Sequence, residues 1–261
     1  MSPLFDYPYT CSSALDKGLK RESNQDKLIL CPEAGFYGVS DGMGGLAQGG
    51  RTSEILAEVI PGYVKEICAG LTGGASDPER TGELLKGKIE EISDKLYNSF
   101  NTGSRSKYGA TFCGAWLIGK TAVFVSIGDS RAYLLPRHGK IIRQVTNDHN
   151  IAAILIRKGE LTAKGAKNHS SANQLTRFVG MEAPAEADCF IEPVAPGDRI
   201  LLCSDGLHGL MEDDRIKRIL RSSRTPSIVC GRLVKAANES GGRDNISAVY
   251  IKIGEILRHE R

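Results

Sequence analysis

Along this chain, the apolar residues change repeatedly between short runs typical of strands and a three-to-four-residue spacing typical of helices. Short apolar runs come first, two segments with helical spacing follow, and short runs punctuated by glycine return over residues 108–145. Two more helix-like segments and a final strand-like run, ISAVYIKIG, complete the order. Because strands and helices do not alternate one by one, a doubly wound parallel sheet is disfavoured. The order predicts an α+β protein in which helices cover antiparallel sheets.

The helical segments are indicated by apolar residues that recur every three or four positions. The first extends over about residues 47–69, and Pro61 lies where it can kink or divide the helix. The second stripe covers residues 84–100. MEDDRIKRIL and PSIVCGRLVKAANES predict two further helices, the second with Thr225 as its N-cap and proline at its first helical position.

No stretch has the composition of an interdomain linker, so residues 1–261 are expected to form a single domain. A hydrophobic content of 41% and a charged content of 25% are ordinary for globular proteins, and a chain of this length can bury a full core. The longest apolar runs, such as residues 151–156, are far shorter than the ~18 residues that a membrane-spanning helix needs.

The charge balance is nearly neutral. The chain has 34 basic and 31 acidic residues, and a net charge of +3 is too small to indicate nucleic acid or a membrane as the main partner. The seven cysteines include no C-x-x-C pair, and Cys113 and Cys203 lie in apolar runs typical of a core. The N-terminal residues lack the pattern of a signal peptide. A reduced, cytoplasmic protein is the simplest account.

Four aspartates stand at the ends of strand-like runs, each beside glycine or in a glycine-rich turn. They are Asp41 in GVSDGMGG, Asp129 in VSIGDSRAYL, Asp205 in LLCSDGLHG and Asp244 in GGRDNIS. A single Asp-Gly pair is typical of a turn. Four such segments, together with the polar segment RESNQD, favour a site for hard divalent cations, which prefer oxygen ligands.

These segments, in this order, resemble the metal-dependent Ser/Thr protein phosphatases of the protein phosphatase 2C (PPM) family in their compact bacterial form. The resemblance extends from about Lys17 to Ile253. It rests on RESNQD, VSDGMGG, YGATFCGAWL, IGDSRAYL, TNDHN, GELTA…NQLTRFVG, LLCSDGL and GGRDNIS. It implies a central sandwich of two antiparallel β-sheets flanked by pairs of α-helices, a four-layer αββα fold.

The resemblance also implies an activity: hydrolysis of phosphoserine and phosphothreonine on proteins by direct attack of a metal-bridging hydroxide. The implied cofactors are two Mn²⁺ or Mg²⁺ ions, with a third in bacterial members. The implied partners are phosphorylated proteins, the substrates of an opposing Ser/Thr kinase. Neither nucleic acid nor a membrane is expected as a partner.

The metal ligands that the resemblance implies are the four aspartates and one backbone group. Asp41 would bridge two ions, and the carbonyl of Gly42 would assist the second ion through its water shell. Asp205 and Asp244 would complete the first ion. Asp129, together with Asp205, would form the third and weaker site.

Two residues of RESNQD have implied roles at the reacting phosphate. Arg21 would bind a phosphate oxygen, for which its bidentate charged donor is suited, and Asp26 would orient a metal-bound water.

The chain departs from the family pattern twice. Gln25 stands where many members have Glu, which removes a charge, and Met43 stands where many eukaryotic members have the His that is the usual general acid.

Residues 146–180 correspond to the family's flap, a mobile element beside the active site. Gly159, Gly165 and Ser170 would allow its movement, and an ordinary surface loop is the alternative. His149, in TNDHN, is expected to pack or to cap a turn.

Four residues near the motifs have expected structural roles. Thr111 is expected to serve strand packing, and Trp116, the only tryptophan, to belong to the core. Ser130 and Arg131 follow Asp129 and are placed to fix its carboxylate.

Two other functions remain open from the residues. One is a catalytically weak phosphatase-fold module that binds or regulates partners, which missing carboxylates would support. The other is a different two-metal hydrolase, such as a nuclease or a small-molecule phosphatase.

Overall fold

Two antiparallel β-sheets lie face to face in this protein, and helices cover the outer side of each sheet. The structure, a computed structural model, describes residues 4–44, 49–71, 77–103, 108–162, 165, 171, 174–222 and 225–255. The four-layer αββα arrangement that the sequence predicts is confirmed.

The strands of the described residues divide between the two sheets. They are β1 (Tyr9–Asp16), β2 (Asp26–Cys31), β3 (Phe36–Met43), β4 (Gly109–Ala110), β5 (Phe112–Ile118), β6 (Thr121–Ile127), β7 (Arg131–Leu135), β8 (Arg143–Gln144), β9 (Asp188–Pro193), β10 (Arg199–Cys203) and β11 (Ile246–Ile253). One sheet has the order β1-β11-β10-β7-β8, and the other has the order β2-β3-β5-β6-β9 with β4 paired to β3.

The helices of the described residues are α1 (Gly49–Gly70), α2 (Pro78–Leu96), α3 (Ile151–Arg157), α4 (Asp205–His208), α5 (Asp213–Ser222) and α6 (Val229–Glu239). A π-helical turn, Tyr97–Asn101, extends α2, and a 3-10 turn, Pro226–Ile228, precedes α6. Among the described helices, none combines the length and the apolar character that crossing a membrane would take.

Strand β5 shows why the sheets stack. Successive side chains of a strand point to opposite faces, and every residue of β5 is buried. Phe112 and Trp116 contribute to the core under α1 and α2, whereas Cys113 and Ala115 contribute to the core between the sheets. The indole of Trp116 donates a hydrogen bond to the carbonyl of Ala34, and the core role expected for this residue is confirmed.

A third apolar core lies under α4, α5 and α6 on the other sheet. Leu201 and Cys203 of β10 and Tyr250 of β11 pack there with Ile216 and Leu233 of the helices. Each sheet is therefore buried on both faces. The loops at the strand ends are the part of the structure that remains available for chemistry.

Four local features differ from what the sequence predicts. Strand β1 was not expected, because it lies at a sheet edge and its alternation is diluted by partly exposed polar residues. Helix α1 continues through Pro61 as one element. Thr225 precedes the 3-10 turn, so α6 itself begins later, at Val229. The segment that carries Asp205 is the first turn of a short helix, α4.

Adjacent leucines of α2 give a test of this layering. Leu85 is fully buried under the sheet, whereas Leu84 is 42% exposed. We expect Leu85→Ala to reduce the free energy of unfolding by about 2–5 kcal/mol, because it leaves a cavity. Leu84→Ala should cost less than about 1 kcal/mol. Urea unfolding followed by circular dichroism measures both, and equal losses would contradict the assigned faces.

Candidate active site

Asp26 and Asp41 lie directly opposite each other on neighbouring strands. In the antiparallel register of β2 and β3, Asp26 pairs with Asp41. Asp26 is fully buried. The backbone of Asp41 is fixed by Thr111, whose Oγ1 accepts from the Asp41 N–H at 3.0 Å and whose N–H donates to the Asp41 carbonyl at 2.8 Å. Thr111 therefore positions a predicted ligand, beyond the strand packing expected of it.

Ser204 connects the two sheets at this point. It follows β10, and its hydroxyl group donates to Oδ2 of Asp26 at 2.7 Å and accepts from the N–H of Ser247 at 3.0 Å. Asp205, the next residue, begins α4. The link therefore brings the carboxylate of Asp205, from one sheet, to the pair formed by Asp26 and Asp41 on the other.

Asn245 holds the Asp244 loop against the segment before β2. Its Nδ2 donates to the carbonyls of Lys17 and Ser23, both at 2.9 Å, and its Oδ1 accepts from the N–H of Gln25 at 2.8 Å. The side chain is buried. The GGRDNIS motif contains both residues, but its pattern predicts a role for Asp244 alone.

Gly206 allows α4 to approach the Asp244 loop. A Cβ atom at this position would lie 1.9 Å from the carbonyl oxygen of Asn245, so no larger residue fits without a backbone shift. The glycine beside Asp205 thus serves the close approach of two backbones, which places Asp205 next to Asp244.

Asp129 follows β6 after Gly128, which has a φ of +104°. Its Oδ2 accepts from Nδ2 of Asn150 at 3.3 Å, and Nε2 of His208 lies 2.9 Å from its backbone carbonyl. Asp129, Asp205 and Asp244 line one cavity of about 740 Å³. The structure therefore brings these three predicted ligands to a common space.

Burial is the main cause that raises the pKa of those acids in this group whose shifts are resolved. Burial and the charges of Asp26, Asp205, Asp129 and Asp244 raise the pKa of Asp41 well above its usual range. The pKa of Asp205 is raised in the same way, by burial and by Asp129, Asp244 and Asp26. Burial raises the pKa of Asp26 to about 6 and that of Asp129 to about 6. The site therefore favours the binding of positive charge.

The donor set suits a hard divalent cation. Oδ1 of Asp26 and Oδ1 of Asp205 are buried and have no hydrogen-bond partner among the described residues, and carboxylate oxygens are the ligands that magnesium and manganese prefer. Within the described part of the chain, no three acidic, histidine or cysteine side chains converge into a complete ligand set.

Arg21 forms an ion pair with Asp244, with its Nη2 at 2.6 Å from Oδ2. The arginine side chain is 53% exposed, so it is also accessible to a ligand from solvent. The backbone N–H of Gly42 donates to the carbonyl of Gln25 at 3.2 Å. The phosphate-binding role of Arg21 and the role of the Gly42 carbonyl both remain predictions.

Arg131 does not hydrogen-bond to the carboxylate of Asp129, contrary to expectation. Its guanidinium binds Asp148 through two hydrogen bonds, of 2.8 and 2.6 Å, because Asp148 lies beside it in the following segment. The hydroxyl group of Ser130 lies 2.7 Å from that of Thr111 instead. The side chain that reaches Asp129 is Asn150, the last residue of TNDHN, for which the motif predicts no such role.

His149 attaches the predicted flap to the turn before Asp129. Its Nδ1 accepts from the N–H of Gly128 at 3.1 Å, and its Nε2 lies 3.1 Å from Asp188. Burial lowers the pKa of His149, so the neutral ring that these contacts need is favoured. The structural role expected for this histidine agrees with the contacts. Ser170, also assigned to the flap, lies outside the described residues.

Comparison with known proteins gives consistent results. The protein phosphatase 2C family profile matches residues 18–228. The serine/threonine phosphatase stp of Listeria monocytogenes is 34% identical over 215 residues, 82% of each chain. The serine/threonine phosphatase PstP/Ppp of Mycobacterium tuberculosis superposes with a TM-score of 0.79 and 26% identity, covering 95% of this chain and 99% of the other.

A further solved structure bears on the cofactor. The catalytic domain of the serine threonine protein phosphatase PstP in complex with two manganese ions has a TM-score of 0.77 and 26% identity, and covers 95% of this chain and 99% of its own. Profile, sequence and structure thus agree with the resemblance in the motifs. The chain is a phosphatase and belongs to the protein phosphatase 2C family.

Proposed function

We propose that this phosphatase hydrolyses phosphoserine and phosphothreonine on proteins with the help of two bound divalent cations, manganese or magnesium. The observation that supports the proposal is the group of carboxylates that comes together from both sheets, in which Arg21 pairs with Asp244. Burying several like charges is costly unless cations accompany them, and the family and its manganese-bound relative indicate which cations these are.

The ligands that we assign are Asp41 for both ions, with Asp205 and Asp244 for the first and the Gly42 carbonyl for the second. Asp129, with Asp205, would hold a third ion. When bound, such cations neutralise phosphate oxygens and lower the pKa of a water between them.

Two side chains of the chain itself act on the phosphate and the water. Arg21 is exposed beside Asp244 and would bind a phosphate oxygen of the substrate. Asp26, whose Oδ1 is free among the described residues, would orient the attacking water. The hydroxyl group of Ser204 holds the other oxygen of Asp26 and so fixes the direction of the free one.

The remaining assignments follow from this activity. Residues 1–261 would form one catalytic domain, and the segment over 146–180 would act as a flap beside the cavity that Asp129 lines. The substrates would be phosphoproteins made by an opposing Ser/Thr kinase in the cytoplasm. The presence of Asp41, Asp205 and Asp244 in one group argues against a catalytically weak binding module, and comparison of phosphopeptide, nucleotide and DNA hydrolysis tests the other two-metal hydrolases.

Removal of a proposed ligand should abolish catalysis. We expect Asp205→Asn to lower kcat/KM on a phosphothreonine peptide with manganese by at least about 100-fold, because even groups that only support metal ligands contribute 10–100-fold. Asp94→Asn, at an exposed position on α2, is the matched control and should keep wild-type activity. Phosphate release measures both, and full activity of Asp205→Asn would refute the assignment.

Metal should also stabilise the fold, independently of activity. We expect millimolar manganese to raise the Tm of chelator-treated protein, since a ligand at 100 times its Kd adds about 2.7 kcal/mol. For a chain of this size that corresponds to roughly 5–10 °C. Asp41→Asn should reduce the shift. Differential scanning fluorimetry gives the measurement, and a Tm that manganese leaves unchanged would contradict the proposed site.

The ion pair of Arg21 and Asp244 predicts opposite effects on two ligands. In Arg21→Gln, we expect a higher KM for the phosphopeptide, because a phosphate donor is lost. We also expect tighter manganese binding, by up to about fivefold, because Asp244 is released from an exposed ion pair. Calorimetric titration of manganese and steady-state kinetics separate the two, and weaker manganese binding in the variant would show that Arg21 supports the ligand instead of competing for it.

A further inference from the structure

A basic groove lies between α5 and α6, on the outer face of the sheet that carries Asp205 and Asp244. Its volume is about 750 Å³, within the range of ligand-binding pockets, which is about 300–1,000 Å³. Ile219 and Ala236 supply apolar surface to the groove. Six cationic side chains line it: Arg215, Lys217, Arg218, Arg221, Arg232 and Lys235.

The carboxylates near the groove are too few to neutralise it. Glu239 lies 3.5 Å from Arg215 and 3.9 Å from Lys235, and Asp214 pairs with Lys217. Arg232 is exposed and has no ion-pair partner among the described residues. Among the described residues, two carboxylates thus face six cations, and the surplus is local, because the whole chain carries only +3.

Helix α5 leads from the active-site cavity to this groove. Asp213, its first residue, lines the cavity that contains Asp205, whereas residues from Arg215 to Ser222 line the groove. A helix of ten residues is about 15 Å long. An extended peptide covers that distance with about five residues, at about 3.3 Å per residue.

We propose that the groove between α5 and α6 docks an acidic segment of the phosphoprotein substrate, about five or more residues from the phosphorylated residue. The inference rests on the proposed function and specifies its substrates. Carboxylates of the segment would meet Arg218, Arg232 and Lys235, which are exposed, and its aliphatic carbons would pack on the apolar part of the groove.

A protein segment fits the groove better than nucleic acid does. Single-stranded nucleic acid is bound through aromatic side chains on which bases stack, and no aromatic residue lines this groove in the described part of the chain. The groove is also bounded by two short helices, which limits its length to that of a short peptide.

Kinetics with matched peptides test the docking. Two phosphothreonine peptides are compared, each with a neutral spacer of about five residues. One ends in Asp and Glu residues and the other in Asn and Gln, and a second pair carries the tail on the other side of the phosphothreonine. For wild type with manganese at low salt, we expect the KM of an acidic peptide to be about tenfold lower than that of its neutral partner.

In the triple variant Arg218→Gln, Arg232→Gln, Lys235→Gln, this preference should disappear, with similar KM values for both peptides. The matched control, Lys65→Gln, Arg80→Gln, Lys95→Gln, removes three exposed cations from α1 and α2 and should keep the preference. Equal KM values in wild type, or an equal loss of preference in the control, would overturn the proposal.

Direct binding separates docking from catalysis. An unphosphorylated, fluorescent acidic peptide should bind wild type in the presence of chelator, and binding should weaken about tenfold in the groove variant. If no peptide released phosphate with manganese, the proposed function would fail while this measurement still tested the groove. Tighter binding of an oligothymidylate of equal charge would overturn the assignment to peptides.

Discussion

The structure depends on keeping several buried and half-buried carboxylates close together where the ends of two sheets meet. Separate hydrogen bonds hold these carboxylates. Ser204 binds the side chain of Asp26, and Thr111 binds the backbone of Asp41. Asn150 donates to Asp129, and Arg21 pairs with Asp244. Like charges at such positions cost stability, and the rest of the fold must offset that cost and oppose their separation. The apolar cores that bury both faces of both sheets supply that rigidity. The packed cores therefore hold the carboxylates in place although their charges repel one another, and a bound cation would relieve that repulsion.

The spacing of apolar residues and the motifs in the sequence predict most of the strands and helices and most of the carboxylates of the site. Helical stripes and glycine-punctuated strands identified the layers because those signals are local. The sequence pattern does not predict strand β1, because an edge strand pairs with only one neighbour and keeps polar residues on its exposed side. Its pairing with β11 depends on residues more than two hundred positions away, and no local pattern encodes that distance.

The supporting contacts of the site were harder to predict than its carboxylates. Asp41, Asp205 and Asp244 stand in recognisable glycine-rich segments, whereas Ser204 and Asn245 are ordinary polar residues whose importance comes from what the fold places opposite them. The same reason explains why Arg131 was misassigned. Its neighbour in sequence is Asp129, but its neighbour in space is Asp148.

Asn245 has a consequence for the order in which this protein acquires its activity. Its side chain binds the backbone at Lys17, Ser23 and Gln25, so the loop with Arg21 is held by a residue translated far later. Contacts of such long sequence separation form slowly, because the intervening chain must first be ordered. On the ribosome, the sheet of β2, β3, β5 and β6 can assemble while the carboxylate group is still incomplete. The loop with Arg21 would therefore reach its final position only when β11 has joined its sheet.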